Sequence, residues 1–205
     1  CSCTKGTGSG YEHGMSREEY EAINEDKDIC TKYAFRTHIA ERLGAKNINL
    51  SRMGSSNQRQ FRLATKYFSE KHDPDMIVLW GITSTARHDV YSVHKKQYVN
   101  LLYGNGFAHD KNMEKSGVDT RSYLKNNYDH ENEIQQLEYN IKHWNIFFES
   151  LGIKNDWGYH MSQYAMTDSK RIQVLLEAKK VNPHSYHPTK EAHVAIADMI
   201  MKEIT

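Results

Sequence analysis

The chain has 205 residues, of which 38% are hydrophobic and 26% are charged, and its formal net charge is +1. This length suits one domain whose core needs no disulfide bonds. The small net charge gives no general attraction to nucleic acid or to an anionic membrane, so we expect neither as a partner. No apolar run is long enough for a transmembrane helix, and the sequence as it stands shows no signal peptide.

The cysteines favour reduced thiols over a disulfide framework. Their number, 3, is odd. Cys1 and Cys3 are too close in sequence for an easy bridge, and Cys30 stands alone. Reduced thiols are typical of proteins kept in a reducing compartment. A lipid on Cys1, as in a bacterial lipoprotein after signal cleavage, is a minor alternative.

The first part of the chain is predicted to be a glycine-rich loop followed by helices. Residues 1–15 contain four glycines and indicate a loop. Residues 16–19, with the sequence Ser-Arg-Glu-Glu, form a capping box that opens a helix. Residues 32–43 have apolar positions at helical spacing, and Gly44 follows as the residue that ends this helix.

The next part is predicted to alternate between strands and a helix. Weak alternation over residues 45–50 suits a short strand. Asn57 is predicted to cap a helix that runs to about His72, before the helix-stopping Asp73-Pro74. Residues 76–80, Met-Ile-Val-Leu-Trp, are continuously apolar and predict a strand covered on both faces, as in a parallel sheet.

The second half of the chain completes an α/β pattern. Its predicted parts are a long irregular excursion with some helix over about 82–128, a long helix over 131–151, a weak strand over 153–160, a helix around 172–178 and a last helix over 189–204. Alternating strands and helices predict a three-layer α/β/α sandwich around a mostly parallel, flavodoxin-like sheet, with residues 1–205 as one domain. In such sheets, function collects in the loops after the carboxyl ends of the strands.

Four of these loops carry residues suited to acyl chemistry. Ser2 lies in the first loop, where a serine on a tight turn exposes its hydroxyl. Gly54 allows a backbone N–H to approach a ligand closely. Thr83 follows the buried strand, and its side chain can point into the same pocket. His187 comes just before the last helix, where it is a candidate general base for Ser2.

This series of loops resembles the SGNH (GDSL-like) family of serine hydrolases in order and approximate spacing over the whole chain. That family has G-D-S-x-T-x-G, an invariant glycine, G-x-N-D and D-x-x-H-P at successive strand ends. The middle blocks here are also similar to a subgroup found often in tailed phages. The matching residues are Ser2, Thr4 and Gly6 in the first block, Gly54 in the second, Gly81 in the third, and His187 and Pro188 in the fourth.

The resemblance implies an ester hydrolase that needs no cofactor and no metal. Ser2 is the expected nucleophile and His187 the expected base. The expected oxyanion donors are the backbone N–H groups of Ser2 and Gly54 and the hydroxyl of Thr83. The substrate implied is a small ester or an O-acylated glycan. Two further side chains are candidates for the pocket: Asn57 and Arg87.

Three positions depart from the family pattern. Cys1 stands in place of the first aspartate, Thr83 in place of the asparagine, and His184 in place of the last aspartate, or Ser185 with a shorter spacing. His187 is therefore expected to work in a Ser–His dyad or a degraded triad, and the loss of an orienting carboxylate can cost about 10⁴ in turnover. The family's first strand is expected upstream of Cys1.

Three alternatives to an active esterase follow from the same residues. A degraded triad suits a catalytically weak or inactive SGNH-fold module that binds a ligand or belongs to a virion, which places the protein in the host cytoplasm or on a virion. Cys1 is a possible N-terminal nucleophile activated by its own amine. His184, His187 and His193 suggest a metal site only weakly, because no cysteine or carboxylate cluster accompanies them.

Overall fold

A computed structural model of the chain describes residues 5–24, 26–52, 54–71, 73–102, 117–156 and 187–205. Within these ranges the chain mixes helices and strands, as the predicted α/β class requires. The described helices are α1 (Arg17–Asn24), α2 (Lys27–Lys32), α3 (Phe35–Leu43), α4 (Asn57–Glu70), α5 (Thr120–Asn127), α6 (His130–Ser150) and α7 (Lys190–Ile204). The described strands are β1 (Ile77–Leu79), β2 (Arg87–Ser92), β3 (Gln97–Leu102) and β4 (Lys154–Asp156).

The described strands form two pairs. β1 is parallel to β4, with Ile77 opposite Lys154 and Leu79 opposite Asp156. A parallel pair needs a crossover connection, and α6 lies in that connection immediately before β4. β2 and β3 form an antiparallel hairpin with Val90 opposite Val99. The strands predicted from residues 76–80 and from the start of 153–160 are thus confirmed.

Side chains on the two faces of β1 enter two different hydrophobic clusters. Ile77 and Leu79 pack with α3 and α7, where the cluster is mainly aliphatic. Met76, Val78 and Trp80 pack on the opposite side with α4 and α6. This second cluster is aromatic, with Trp80 5.4 Å from Trp144 between ring centroids. The period of two along β1 therefore gives it a helical layer on each face, as its continuous apolar sequence predicts.

Local capping signals decide where several helices begin and end. The capping box before α1 forms as predicted: the Ser16 N–H donates to the Glu19 carboxylate at 2.7 Å, and the Glu19 N–H donates to the Ser16 hydroxyl at 3.2 Å. Gly44, in the left-handed conformation, ends α3. Thr189 caps α7 by accepting a hydrogen bond from the Ala192 N–H.

Three local predictions are wrong. Residues 45–50 form no strand. The helix expected over 32–43 is interrupted at Tyr33 and Ala34, so that α2 and α3 are separate. Asn57 does not cap α4, because the hydroxyl of the preceding Ser56 accepts the hydrogen bond from the Arg59 N–H. Asn57 instead has a tertiary role, described below.

The segment 82–128, predicted to be an irregular excursion with some helix, contains the β2–β3 hairpin and α5. The helix expected around 172–178 lies outside the described residues, as do Ser2 and His184. No helix in the described ranges is long and apolar enough to cross a membrane.

Candidate functional site

His187 packs against the loop that follows Ser2 in the chain. A Cβ atom added at Gly8 would lie 2.7 Å from the Cβ of His187 and 2.7 Å from the carbonyl oxygen of Pro188. Two further contacts hold this junction: the Lys190 N–H donates to the Tyr11 carbonyl at 3.2 Å, and the Lys190 ammonium pairs with Glu12 at 2.7 Å. The last predicted motif is therefore in contact, through His187 and Pro188, with Gly8, two residues after the first predicted motif.

The glycine-rich loop is fixed from its other side by α2 and α3. A Cβ at Gly6 would lie only 1.9 Å from the Cys30 carbonyl oxygen. The Ser9 hydroxyl donates to the same carbonyl at 3.4 Å. Burial raises the pKa of the Cys30 thiol, which favours an uncharged packing residue over a nucleophile. The loop is thus held between the α2–α3 junction and His187.

A second histidine, His193, is fully buried in α7 behind this loop. Its Nδ1 accepts a hydrogen bond from the Phe35 N–H at 3.2 Å, and its ring stacks on Phe35. Burial lowers the pKa of His193 to about 3, the Thr7 backbone acts the other way, and His38, Arg36 and His187 lower it further. His193 is therefore a neutral hydrogen-bond acceptor that joins α7 to α3. Its lowered pKa makes it too weak a base to activate a nucleophile, and its burial keeps it from a substrate.

Gly54 lies at an open position next to the hairpin. It has a φ of +70°, and a Cβ added there would meet no heavy atom of the described residues within 4 Å. Its carbonyl accepts a hydrogen bond from the Asn100 side chain of β3 at 2.6 Å. The loop is thus anchored through its carbonyl, while the described residues leave the space beside its α-carbon open. Such a position suits close approach by a ligand.

Asn57 and Thr83 form a reciprocal pair. The Asn57 side-chain amide donates to the Thr83 carbonyl at 2.9 Å, and its oxygen accepts from the Thr83 N–H at 2.9 Å. Both residues are buried. The backbone N–H of Thr83 is therefore engaged inside the protein. The oxyanion role that the sequence predicts for Thr83 is that of its hydroxyl, which these two bonds do not use.

A group of charges lies beside Gly54. Arg62 of α4 contacts the Asp89 carboxylate of β2 at 2.6 Å and 3.0 Å, and its guanidinium lies 3.8 Å from the centre of the Tyr98 ring. Arg59 donates to the Leu50 carbonyl at 3.4 Å. Burial lowers the pKa of Arg59, and Arg52 lowers it further. Because an arginine stays charged in proteins, these guanidinium groups make the surface cationic.

The cavity beside Asn57 is too small for a substrate. It has a volume of about 50 Å³ and is bordered by Asn57, Thr85 and Glu133 among others. Burial raises the pKa of Glu133, and the charge of Asp129 raises it further. That volume holds about one or two water molecules. In the described parts of the chain, no group of three or more His, Cys, Asp or Glu side chains is arranged to hold a metal ion.

The structure brings some of the predicted site residues into contact with other parts of the candidate site. His187 lies against the loop after Ser2, Asn57 holds Thr83, and Arg87 begins β2 with its N–H donating to the Ser84 carbonyl at 3.2 Å. Ser2 and His184 fall outside the described residues.

Four residues that shape these two regions are not among the residues predicted from the sequence: Gly8, Arg62, Asp89 and Asn100. A signal was present only for Gly8, which stands two residues after the matched Gly6 in a loop predicted to carry a site. Comparison with family models, with curated proteins and with solved structures found no match.

Proposed function

We propose that this protein is a serine ester hydrolase of the SGNH type, with Ser2 as nucleophile and His187 as general base. The observation that carries the proposal is the contact of Gly8 with His187 and Pro188. It brings the loop that follows the first block against the last block, and these two regions, far apart in sequence, must lie close together if Ser2 and His187 act together.

The proposed reaction uses these residues in order. The Ser2 hydroxyl attacks the ester carbonyl while His187 takes its proton. The developing negative charge on the carbonyl oxygen is stabilised by the N–H groups of Ser2 and Gly54 and by the Thr83 hydroxyl. His187 passes the proton to the leaving alcohol, and water then releases the acyl group by the same steps in reverse.

The proposed fold is the three-layer α/β/α sandwich of that family, with a mostly parallel, flavodoxin-like sheet. It is supported by the parallel pairing of β1 with β4 and by the helices on both faces of β1. In this arrangement Thr83 follows the carboxyl end of β1, where open α/β sheets bind their ligands. The open position at Gly54 gives the second supporting observation.

The test is labelling of the full chain with a fluorophosphonate probe, together with hydrolysis of p-nitrophenyl acetate. We expect both in the native protein and neither in Ser2→Ala, with a large loss of turnover in His187→Ala. His13→Ala is the matched control, because His13 is exposed in the loop before α1. Labelling that survives in Ser2→Ala contradicts the assignment of the nucleophile. Absence of labelling in the native protein favours the non-catalytic binding module.

A further inference from the structure

The outer end of the β2–β3 hairpin carries an exposed aromatic pair. Tyr91 and Tyr98 are directly opposite each other in the hairpin register. Their rings meet edge to face with centroids 5.4 Å apart, and they are 53% and 48% exposed. Neighbouring exposed tyrosines offer a broad rigid contact surface at a low cost in side-chain entropy. Contiguous exposed apolar area is a feature of binding surfaces.

This aromatic pair is continuous with the open position at Gly54. Along β3, Tyr98 and Asn100 are two residues apart and share one face, so their α-carbons are separated by about 7 Å. Asn100 bonds to the Gly54 carbonyl at 2.6 Å. A ligand that lies on the tyrosines therefore extends toward the proposed oxyanion donor within the length of one or two sugar rings.

The same surface has an excess of positive charge. The charges that shift the pKa of Arg59 are those of Arg52, Asp89 and Arg62, so among the described residues three guanidinium groups share one carboxylate. Asp89 is already held by two bonds from Arg62, and its side chain is only 4% exposed. Arg52, by contrast, is exposed. Uncompensated guanidinium groups match carboxylates in both charge and geometry.

We propose that this Tyr–Arg surface, formed by Tyr91, Tyr98, Arg52, Arg59 and Arg62, binds a carboxylated glycan. The proposal rests on the proposed esterase function and narrows its substrate to O-acylated acidic sugars. The apolar C–H faces of a sugar ring pack on the tyrosine rings, and the sugar carboxylate pairs with the arginines. The adjacent acyl group then reaches Gly54. A neutral sugar contacts only the tyrosine rings, and an anionic polymer without sugar rings pairs only with the arginines.

The test presents the full chain to an array of uronate- and sialate-containing glycans, each beside its carboxyl-reduced neutral counterpart. Poly-L-glutamate and single-stranded DNA serve as anions without a sugar acid. We expect preferential binding to carboxylated glycans, weakened by added salt because part of the attraction is between exposed charges. Failure of every carboxylated glycan to bind overturns the proposal, as does equal binding to poly-L-glutamate or DNA.

Variants separate the two parts of the surface. Truncation of Tyr91 and Tyr98 to alanine is expected to weaken glycan binding at least about tenfold, as is Arg52→Ala. Tyr98→Phe keeps the ring and is expected to retain binding. Two matched controls remove similar groups elsewhere: Tyr139→Ala, 51% exposed on α6, and Arg17→Ala on α1. Unchanged binding in the tyrosine double variant overturns the proposal.

Hydrolysis of p-nitrophenyl acetate distinguishes this proposal from the function it rests on. That small neutral ester needs neither tyrosines nor arginines, so the tyrosine double variant is expected to hydrolyse it at the native rate. Native hydrolysis without glycan binding contradicts only the glycan proposal. Glycan binding that depends on the tyrosines, in a protein without hydrolysis or fluorophosphonate labelling, contradicts only the esterase.

Discussion

The loop over residues 5–10 and the loop around Gly54 both belong to the proposed active site, but their glycines serve opposite purposes. At Gly6, Gly8 and Gly10 an added Cβ would lie 1.9, 2.7 and 2.5 Å from the nearest protein atom. At Gly54 it would meet no atom within 4 Å in the part of the chain that the structure describes. In the first loop glycine allows the backbone to pack closely, whereas at Gly54 it leaves space. Only the second kind of glycine is suited to admit a ligand.

Gly6→Ala is expected to have the largest effect. Gly6 has a φ of +103°, and its new methyl group would collide with the Cys30 carbonyl. Gly14 has a φ of +94° but open space around it, so Gly14→Ala carries the strain without the collision. Positive φ costs an alanine about 1–2 kcal/mol, and overpacking adds about 1–3 kcal/mol. Urea unfolding should give a much lower free energy of unfolding for Gly6→Ala than for Gly14→Ala. Equal stability of the two variants means that Gly6 is not closely packed.

Asn57→Asp tests how firmly Thr83 is held. The aspartate keeps the shape of the side chain but replaces the donating amide with an oxygen that faces the Thr83 carbonyl. Losing that bond in a buried site is expected to reduce the free energy of unfolding by about 2–3 kcal/mol. If the Thr83 hydroxyl serves the oxyanion, esterase turnover falls as well. Asn126→Asp, exposed on α5, is the control and should be nearly neutral. If Asn57→Asp leaves the free energy of unfolding unchanged, the reciprocal hydrogen bonds between Asn57 and Thr83 are contradicted.

His193→Asn tests the buried imidazole through the pH dependence of stability. The folded protein holds the pKa of His193 at about 3, below its ordinary 6.5. Between these values the unfolded chain takes up a proton that the folded protein does not, so stability is full above pH 6.5 and falls with acidity. The slope is about 1.4 kcal/mol per pH unit. Asparagine keeps an acceptor for the Phe35 N–H but does not titrate.

We therefore expect the free energy of unfolding, measured with urea between pH 6.5 and pH 4, to depend less steeply on pH in His193→Asn than in the native protein. The difference corresponds to one proton, or about 1.4 kcal/mol per pH unit. His13→Asn, in an exposed loop, controls for the general loss of a histidine. His88 also makes the free energy of unfolding depend on pH, because burial lowers its pKa too. This contribution is the same in the native protein and in His193→Asn. An unchanged slope in His193→Asn means that the imidazole is protonated in the folded state.

These contrasts explain which parts of the structure the sequence could predict. The capping box at Ser16 and the long amphipathic α6 depend on neighbours a few residues away, so their patterns are complete in the local sequence. The β2–β3 hairpin was missed because its turn, residues 93–96 with the sequence Val-His-Lys-Lys, lacks the glycine or asparagine that marks tight hairpins. Lys96 takes the positive φ, 48°, that a glycine or asparagine usually supplies in such a turn.

The candidate site was harder to predict because its contacts are long-range. Ser56 and Asn57 are both good capping residues, and only the presence of Thr83, 26 residues later, shows that Asn57 has another partner. His193 lies on the apolar face of α7, but its bond to Phe35 spans 158 residues. Sequence order identified Gly54, Thr83 and His187 as candidates. It carried no information on the space around each of them.

Gly54→Ala is expected to change stability least and is the sharpest test of the comparison between the two loops. With open space around Gly54 among the described residues, the substitution carries only the strain of a positive φ, about 1–2 kcal/mol, and should match Gly14→Ala in urea unfolding. Its new methyl group, however, occupies the space that we assign to the substrate. Turnover of p-nitrophenyl acetate should therefore fall far more in Gly54→Ala than in Gly14→Ala, at equal stability. If the two variants keep the same turnover, the space beside Gly54 is not part of the active site, and the oxyanion donor must be sought nearer the loop that holds His187.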